Sequence, residues 1–185
     1  MSENVGIPTL YKDIQFRSRL DARWAAFFDL LGWDWAYEPI DLPGWIPDFV
    51  LFSLMCQDVF VEVKPISSFK EFEDEKKIVD SIKKTSHSGD QILVLGHRVW
   101  EPSTGMLAFG WIGSWVSAGY RPDIGQYGYY MFDVACVTER KGFWGFESQG
   151  TGHDHWRPGA SGVVLDEFRS LWAKAGNAVQ WKPAK

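Results

Sequence analysis

The sequence has few cysteines and no long apolar run, and both absences exclude classes of protein. Its only two cysteines, Cys56 and Cys136, lie far apart in the chain. They build neither a disulfide scaffold nor a Cys-x-x-Cys zinc site, and they suit a reducing compartment. No apolar run reaches the roughly 18 residues that span a bilayer. The first residues also lack the charged and then apolar pattern of a secretory signal. We therefore expect a cytoplasmic protein without a membrane partner.

Several catalytic motifs are missing as well. The chain has no G-x-S-x-G nucleophile elbow, no P-loop and no dinucleotide fingerprint, which argues against serine hydrolases, P-loop nucleotide hydrolases and dehydrogenases. Its net charge of −5 argues against a broad basic surface for nucleic acid. Local basic groups remain, however, and they are the candidates for contact with phosphates: Arg17, Arg19, Arg23, Lys83 and Lys84.

What is present indicates one globular domain of mixed α and β structure over residues 1–185. Hydrophobic residues make up 45% of the chain and charged residues 23%, the balance of a folded domain. In "SRLDARWAAFFDLLG" the apolar residues recur at helical spacing. Ser18 and Asp21 resemble a capping box, and Gly32 supplies a C-terminal stop.

Strand patterns follow this helix. "WDWAYEP", "DFVLFSL" and "DVFVEVK" read as three strands, the last two as a hairpin. A helix is expected from about residue 69 to 84, and "QILVLG" is typical of a strand covered on both faces. The aromatic segment 97–162 indicates short strands with tight turns, and residues 163–176 an amphipathic helix. Trp45, in the turn before the second strand, is a candidate for stacking on a substrate, whereas most tryptophans read as core.

Three charges interrupt the strand patterns. Asp48 begins one strand, and Glu62 and Lys64 share a face of the next. The hairpin would bring the two acids together, and a divalent cation such as Mg²⁺ or Mn²⁺ would relieve their repulsion. An ordinary cross-strand salt bridge on a surface-facing strand pair is the alternative. Glu38, before them, is either a solvated strand end or a further member of the acidic cluster.

The spacing Pro47-Asp48, thirteen residues, then Glu62-Val63-Lys64 resembles the core motif of the PD-(D/E)XK nucleases. An Arg-rich, Trp-containing helix precedes the motif, as in related phage and bacterial nucleases, and the order of elements over residues 15–96 fits that family. The resemblance implies a restriction-endonuclease-like core, a mixed central β-sheet flanked by helices. Residues 97–162 would then form a β-rich extension.

The resemblance also implies roles for individual residues. Asp48, Glu62 and the carbonyl of Val63 would bind Mg²⁺ or Mn²⁺, and Lys64 would position the attacking water. Asp21 stands where many relatives carry a glutamate near the scissile phosphate. It is one methylene shorter, and a plain capping role is the alternative.

These features predict a metal-dependent DNA nuclease, and more specifically an endonuclease. The alternative is a catalytically inactive module of the same fold that binds DNA or protein in a phage or bacterial assembly. A third class, a nuclease inhibitor or nucleic-acid mimic, would need a longer acidic face than this chain offers. A homodimer, which would let two sites cut two strands, stays open.

Overall fold

The computed structural model describes residues 6–42, 44–52, 58–68, 70–71, 91–102, 106–116, 129–140, 143–148 and 165–180. Within these ranges the helices are α1 (Arg19–Leu31) and α2 (Leu165–Ala178). The strands are β1 (Thr9–Tyr11), β2 (Ile14–Phe16), β3 (Asp34–Tyr37), β4 (Phe49–Phe52), β5 (Val59–Val63), β6 (Gln91–Trp100), β7 (Ala108–Val116), β8 (Tyr129–Arg140) and β9 (Phe143–Ser148). The prediction of a mixed α and β fold is confirmed.

Seven strands form one sheet in the order β3-β4-β5-β6-β7-β8-β9, and β1 and β2 form a separate hairpin. Within the seven-stranded sheet only β5 and β6 pair in parallel; the other neighbours are antiparallel. The predicted hairpin of β4 and β5 is therefore confirmed. A parallel pair requires a crossover connection. The helix predicted from about residue 69 to 84 would be that crossover. Lys70 and Glu71 are helical, and the rest of that segment lies outside the described residues.

Helix α1 begins and ends where its sequence predicts. The Ser18 side chain accepts from the Asp21 N–H, and the Asp21 side chain accepts from the Ser18 N–H, which completes the capping box. Gly32 takes a left-handed conformation at the C-terminus. Trp24, Phe27 and Phe28 are fully buried, so the helix packs its aromatic face onto the sheet.

The two faces of the sheet have different surroundings. Val59, Val61 and Val63 of β5 join the large core that α1 and α2 cover. The opposite face carries a smaller cluster of Trp45, Ile66, Ile92, Val94 and Trp111. Because side chains alternate along a strand, Glu62 lies on this second face, as predicted.

The second half of the chain extends the same sheet. The prediction of short strands is wrong for β7 and β8, which have 9 and 12 residues. The helix predicted at 163–176 is observed as α2, and Phe168 and Trp172 on its apolar side are buried. Neither described helix has the length and apolar character that crossing a bilayer requires.

A carboxylate pair in a cleft

The hairpin of β4 and β5 brings Asp48 and Glu62 together. Phe49 pairs with Val61, and extending this register by one residue places Asp48 opposite Glu62. Both side chains are buried, with residue exposures of 6% and 4%. The charges that interrupt the strand patterns therefore do not lie on a surface-facing strand pair. They form a buried acid pair, which is costly unless it is compensated.

Asp48 is held by one cation and one backbone donor. Its Oδ1 accepts from Nη2 of Arg17 at 2.8 Å, and its Oδ2 accepts from the Val63 N–H at 2.7 Å. Arg17 also forms an ion pair with Glu38. Glu38 is therefore joined to the acid pair through Arg17.

Glu62 is held from two sides. Its Oε1 lies 3.1 Å from the Lys64 ammonium, and its Oε2 accepts from the indole N–H of Trp45 at 2.7 Å. Trp45 is only 6% exposed, so the prediction that its ring offers a stacking surface is wrong. A single tryptophan in a turn gives no sequence signal for a bond to a glutamate 17 residues later.

The pair remains electrostatically unfavourable despite these partners. Burial raises the pKa of Asp48, and the charge of Glu62 raises it further, although the Val63 N–H and Arg17 oppose the shift. Burial also raises the pKa of Glu62, against the lowering effects of Lys64 and Trp45. Removing two carboxylates from water beside each other favours their neutral forms, and a further cation would instead stabilise the charged pair.

The pair lies in the wall of a cleft of about 920 Å³. Cleft-lining residues come from the segment before α1, the first turn of α1, the turn before β4, and the end of β5 with the residues that follow it. They include Arg17, Arg19, Asp21, Trp45, Asp48, Glu62, Val63 and Lys64. The N-terminal end of α1 thus faces the same space as the acids, and helix N-termini favour anions such as phosphate.

Asp21 lines this cleft but is engaged in the capping box. Its Oδ2 accepts from the Ser18 N–H at 3.0 Å, and burial raises its pKa, against the lowering effect of its bonds to Ser18. The geometry shows the capping role. A catalytic role for Asp21 stays a prediction.

The predicted phosphate-binding residues have separate environments. Arg17 and Arg19 are exposed and line the cleft. The Arg23 guanidinium instead lies 3.7 Å from the ring centroid of Trp172 and donates to the Trp172 carbonyl at 3.0 Å. Arg23 thus joins α1 to α2 and is not among the residues that line the cleft. Lys83 and Lys84 lie outside the described residues.

The donors in the cleft fit a hard divalent cation. Among the described residues no group of three or more His, Cys, Asp or Glu side chains converges as a metal site. Mg²⁺, however, is commonly held by one or two carboxylates, with water and substrate phosphate completing its shell. Asp48 and Glu62 supply two carboxylates. The burial of two acids side by side is the observation that favours a cation there.

The carbonyl of Val63 is placed to be a third donor. The Val63 N–H donates to Asp48, whereas the Lys64 N–H donates to the Leu95 carbonyl on β6 at 2.9 Å. In an extended strand the N–H and C=O of one residue point to the same side. The Val63 carbonyl therefore lies on the side of Asp48.

Comparisons with known proteins give no match: no protein-family model matches the chain, and no significant match is found among curated proteins or solved structures.

Proposed function

We propose that the protein is a metal-dependent nuclease of the PD-(D/E)XK type that hydrolyses phosphodiester bonds in DNA, as an endonuclease. The observation that carries the proposal is the buried pair of Asp48 and Glu62 in a cleft that Lys64 shares. Paired acids are hard oxygen ligands for Mg²⁺ or Mn²⁺. The restriction-endonuclease-like core, with residues 97–162 as its extension, is part of the same proposal.

Asp48, Glu62 and the Val63 carbonyl would hold the cation. When bound, Mg²⁺ or Mn²⁺ supplies a Lewis acid that stabilises charge on a phosphoryl oxygen and lowers the pKa of bound water. Hydrolysis forms a bond from the water oxygen to phosphorus and breaks the bond from phosphorus to the leaving oxygen. The leaving oxygen takes up a proton, and the water gives one up.

The chain's own cations have distinct tasks in this reaction. The Lys64 ammonium lies beside Glu62, where it can orient the attacking water and offset negative charge developing on the phosphate. Arg17 has a 60% exposed side chain, and Arg19 is exposed in the same cleft. In our proposal both would contact phosphates of the DNA.

A non-catalytic module is the second candidate. Each of the four carboxylate oxygens of Asp48 and Glu62 already has a partner within the protein, which is the arrangement expected of a site that binds no metal. The burial of both acids side by side in the wall of the cleft favours the enzyme, and burial raises the pKa of each. Mn²⁺ binding separates the two candidates.

The decisive experiment is cleavage of supercoiled, linear, branched and single-stranded DNA in Mg²⁺ or Mn²⁺. The wild type is compared with Glu62→Gln and with the matched control Glu167→Gln, an exposed glutamate on α2. We expect metal-dependent cutting by the wild type and the control, and loss of cutting in Glu62→Gln. Equal cutting by all three proteins would refute the site. If no form is cut and Mn²⁺ does not bind, the non-catalytic module is the better account.

A further inference from the structure

Trp45 lies in a turn that two backbone hydrogen bonds close. The N–H of Leu42 donates to the Trp45 carbonyl, and the N–H of Trp45 donates to the Leu42 carbonyl, both at 3.0 Å. Gly44 between them has φ 84°, a conformation that favours glycine. These bonds hold Trp45, which lines the cleft, at the end of the turn.

Packing fixes the indole ring as well. It meets Phe60 edge-on, with ring centroids 6.1 Å apart and an interplanar angle of 85°, and it belongs to the cluster on the second face of the sheet. The one polar atom of this side chain, Nε1, points at Oε2 of Glu62. A buried indole N–H needs an acceptor, and here that acceptor is a proposed metal ligand.

Glu62 has three side-chain torsions, and two contacts restrict them. Trp45 holds Oε2, and Lys64 approaches Oε1 from the other side. Lys64 is a long side chain, 29% exposed, whereas Trp45 is 6% exposed and packs against Phe60. The indole is therefore the more constrained of the two contacts on the carboxylate. Such outer contacts commonly change metal affinity by about ten- to a hundredfold.

We infer that Trp45 is a positioning residue that orients the Glu62 carboxylate for the divalent cation through its indole N–H. This inference rests on the proposed function, since it assumes that Glu62 binds the cation. Trp45 is not among the residues to which the family resemblance assigns a role.

The test removes the N–H and keeps the shape. Trp45 is replaced by benzothienylalanine, in which sulfur stands in place of the indole N–H, and separately by phenylalanine. Mn²⁺ affinity is measured on the full chain at fixed pH from the free Mn²⁺ signal in electron paramagnetic resonance. We expect both variants to bind Mn²⁺ about tenfold more weakly than the wild type.

Trp35→Phe is the matched control, because the Trp35 indole also donates to a carboxylate, that of Asp29, at 3.3 Å. Trp35 is not among the residues that line the cleft. This variant is expected to bind Mn²⁺ like the wild type.

A spectroscopic readout distinguishes positioning from general packing. In ¹H–¹⁵N spectra the indole resonance of Trp45 is identified as the one lost in Trp45→Phe, and that of Trp35 likewise. On titration with Mg²⁺ the Trp45 resonance should move, and the Trp35 resonance should not.

The failures of the two proposals can be told apart. Unchanged Mn²⁺ affinity in the benzothienylalanine protein, with an unmoved Trp45 resonance, overturns the role of Trp45 and leaves the nuclease proposal standing. A wild type that binds no Mn²⁺ overturns the nuclease proposal and this inference with it.

Discussion

Two acidic sites in this protein use similar donors for different ends. Tyr11, Lys12, Asp29 and Trp35 form what we call the Asp29 cluster. Its single carboxylate accepts from the Tyr11 hydroxyl at 2.9 Å and the Trp35 indole at 3.3 Å, and it pairs with the Lys12 ammonium at 3.0 Å. The cluster ties α1 to β1 and β3. One negative charge meets one cation and two neutral donors, so the charge is compensated.

The cleft pair also has an indole donor and cations, but it concentrates two carboxylates in a more buried place. Asp48 and Glu62 keep raised pKa values although Arg17, Lys64, Trp45 and Val63 all contact them. Burying two carboxylates side by side costs stability, and such costs are concentrated at functional sites. The contrast indicates that the Asp29 cluster serves the fold, and it agrees with the cation that we propose at the cleft pair.

The largest expected difference between the two sites is in catalysis. Asp48→Asn should lower metal-dependent DNA cleavage by about a hundredfold or more, because it removes a proposed metal ligand. Asp29→Asn should leave the rate per folded molecule within about twofold. Initial rates are measured on the substrate that the wild type cuts best. A fall in cleavage rate of similar size in both variants would contradict the assignment of catalysis to the cleft pair alone.

The Asp29 cluster should instead contribute to stability. Asp29→Ala removes the acceptor for Tyr11 and Trp35 and should lower the free energy of unfolding by about 2 kcal/mol. Asp166→Ala is the control, because the Asp166 side chain is 96% exposed, and it should stay within about 0.5 kcal/mol of the wild type. Urea unfolding followed by circular dichroism measures both. An Asp29→Ala protein as stable as the control would contradict a structural role for the cluster.

The cleft pair should also give stability an unusual pH dependence. The folded-state pKa of Asp48 is about 8 against an ordinary value of 3.8. Asp48 therefore releases its proton at a lower pH in the unfolded chain than in the folded protein. Its contribution to the free energy of unfolding is full below about pH 4 and is lost as pH rises toward 8.

Glu62→Gln removes one charge of the pair and isolates this effect. In metal-free buffer the free energy of unfolding of the variant should rise relative to that of the wild type from pH 5 to pH 8, by about 1 kcal/mol or more at pH 8. Urea unfolding at three pH values in the presence of EDTA provides the measurement. A difference in the free energy of unfolding that stays constant from pH 5 to pH 8 would show that the charges of the pair do not destabilise the fold.

The smallest effect concerns the arginines. Arg17→Ala should weaken DNA binding by about three- to tenfold and reduce the salt dependence by about one phosphate contact. Arg23→Ala should leave DNA affinity unchanged and instead lower stability through its contact with Trp172. Binding is followed by fluorescence anisotropy in EDTA, which prevents cleavage. Equal losses of affinity in both variants would place Arg23 in the DNA contact as well.

Local signals in the sequence were sufficient for part of this structure. The capping box of Ser18 and Asp21 and the stop at Gly32 define α1, because caps depend on residues a few positions apart. The approach of Asp48 to Glu62 follows from alternation along two strands joined as a hairpin. The acid pair was therefore predictable from the sequence, whereas its hydrogen-bond and ion-pair partners were not.

The remaining features depend on contacts that no short pattern encodes. The hairpin of β1 and β2 turns through Lys12 and Asp13, both with positive φ, without the Asn or Gly that usually indicates such a turn. Arg23 meets Trp172, which is 149 positions later. The bond from Trp45 to Glu62 likewise depends on how a turn folds over the sheet, and its sequence carries no motif.

The most direct test of the central claim is anomalous diffraction from crystals grown with Mn²⁺, with the Asp166→Asn protein as a control for surface binding. Our account predicts an anomalous peak between the carboxylates of Asp48 and Glu62, unchanged in Asp166→Asn and absent from Glu62→Gln crystals. No peak at the pair in the wild type, with Mn²⁺ present in excess and the cleft free of lattice contacts, would contradict it.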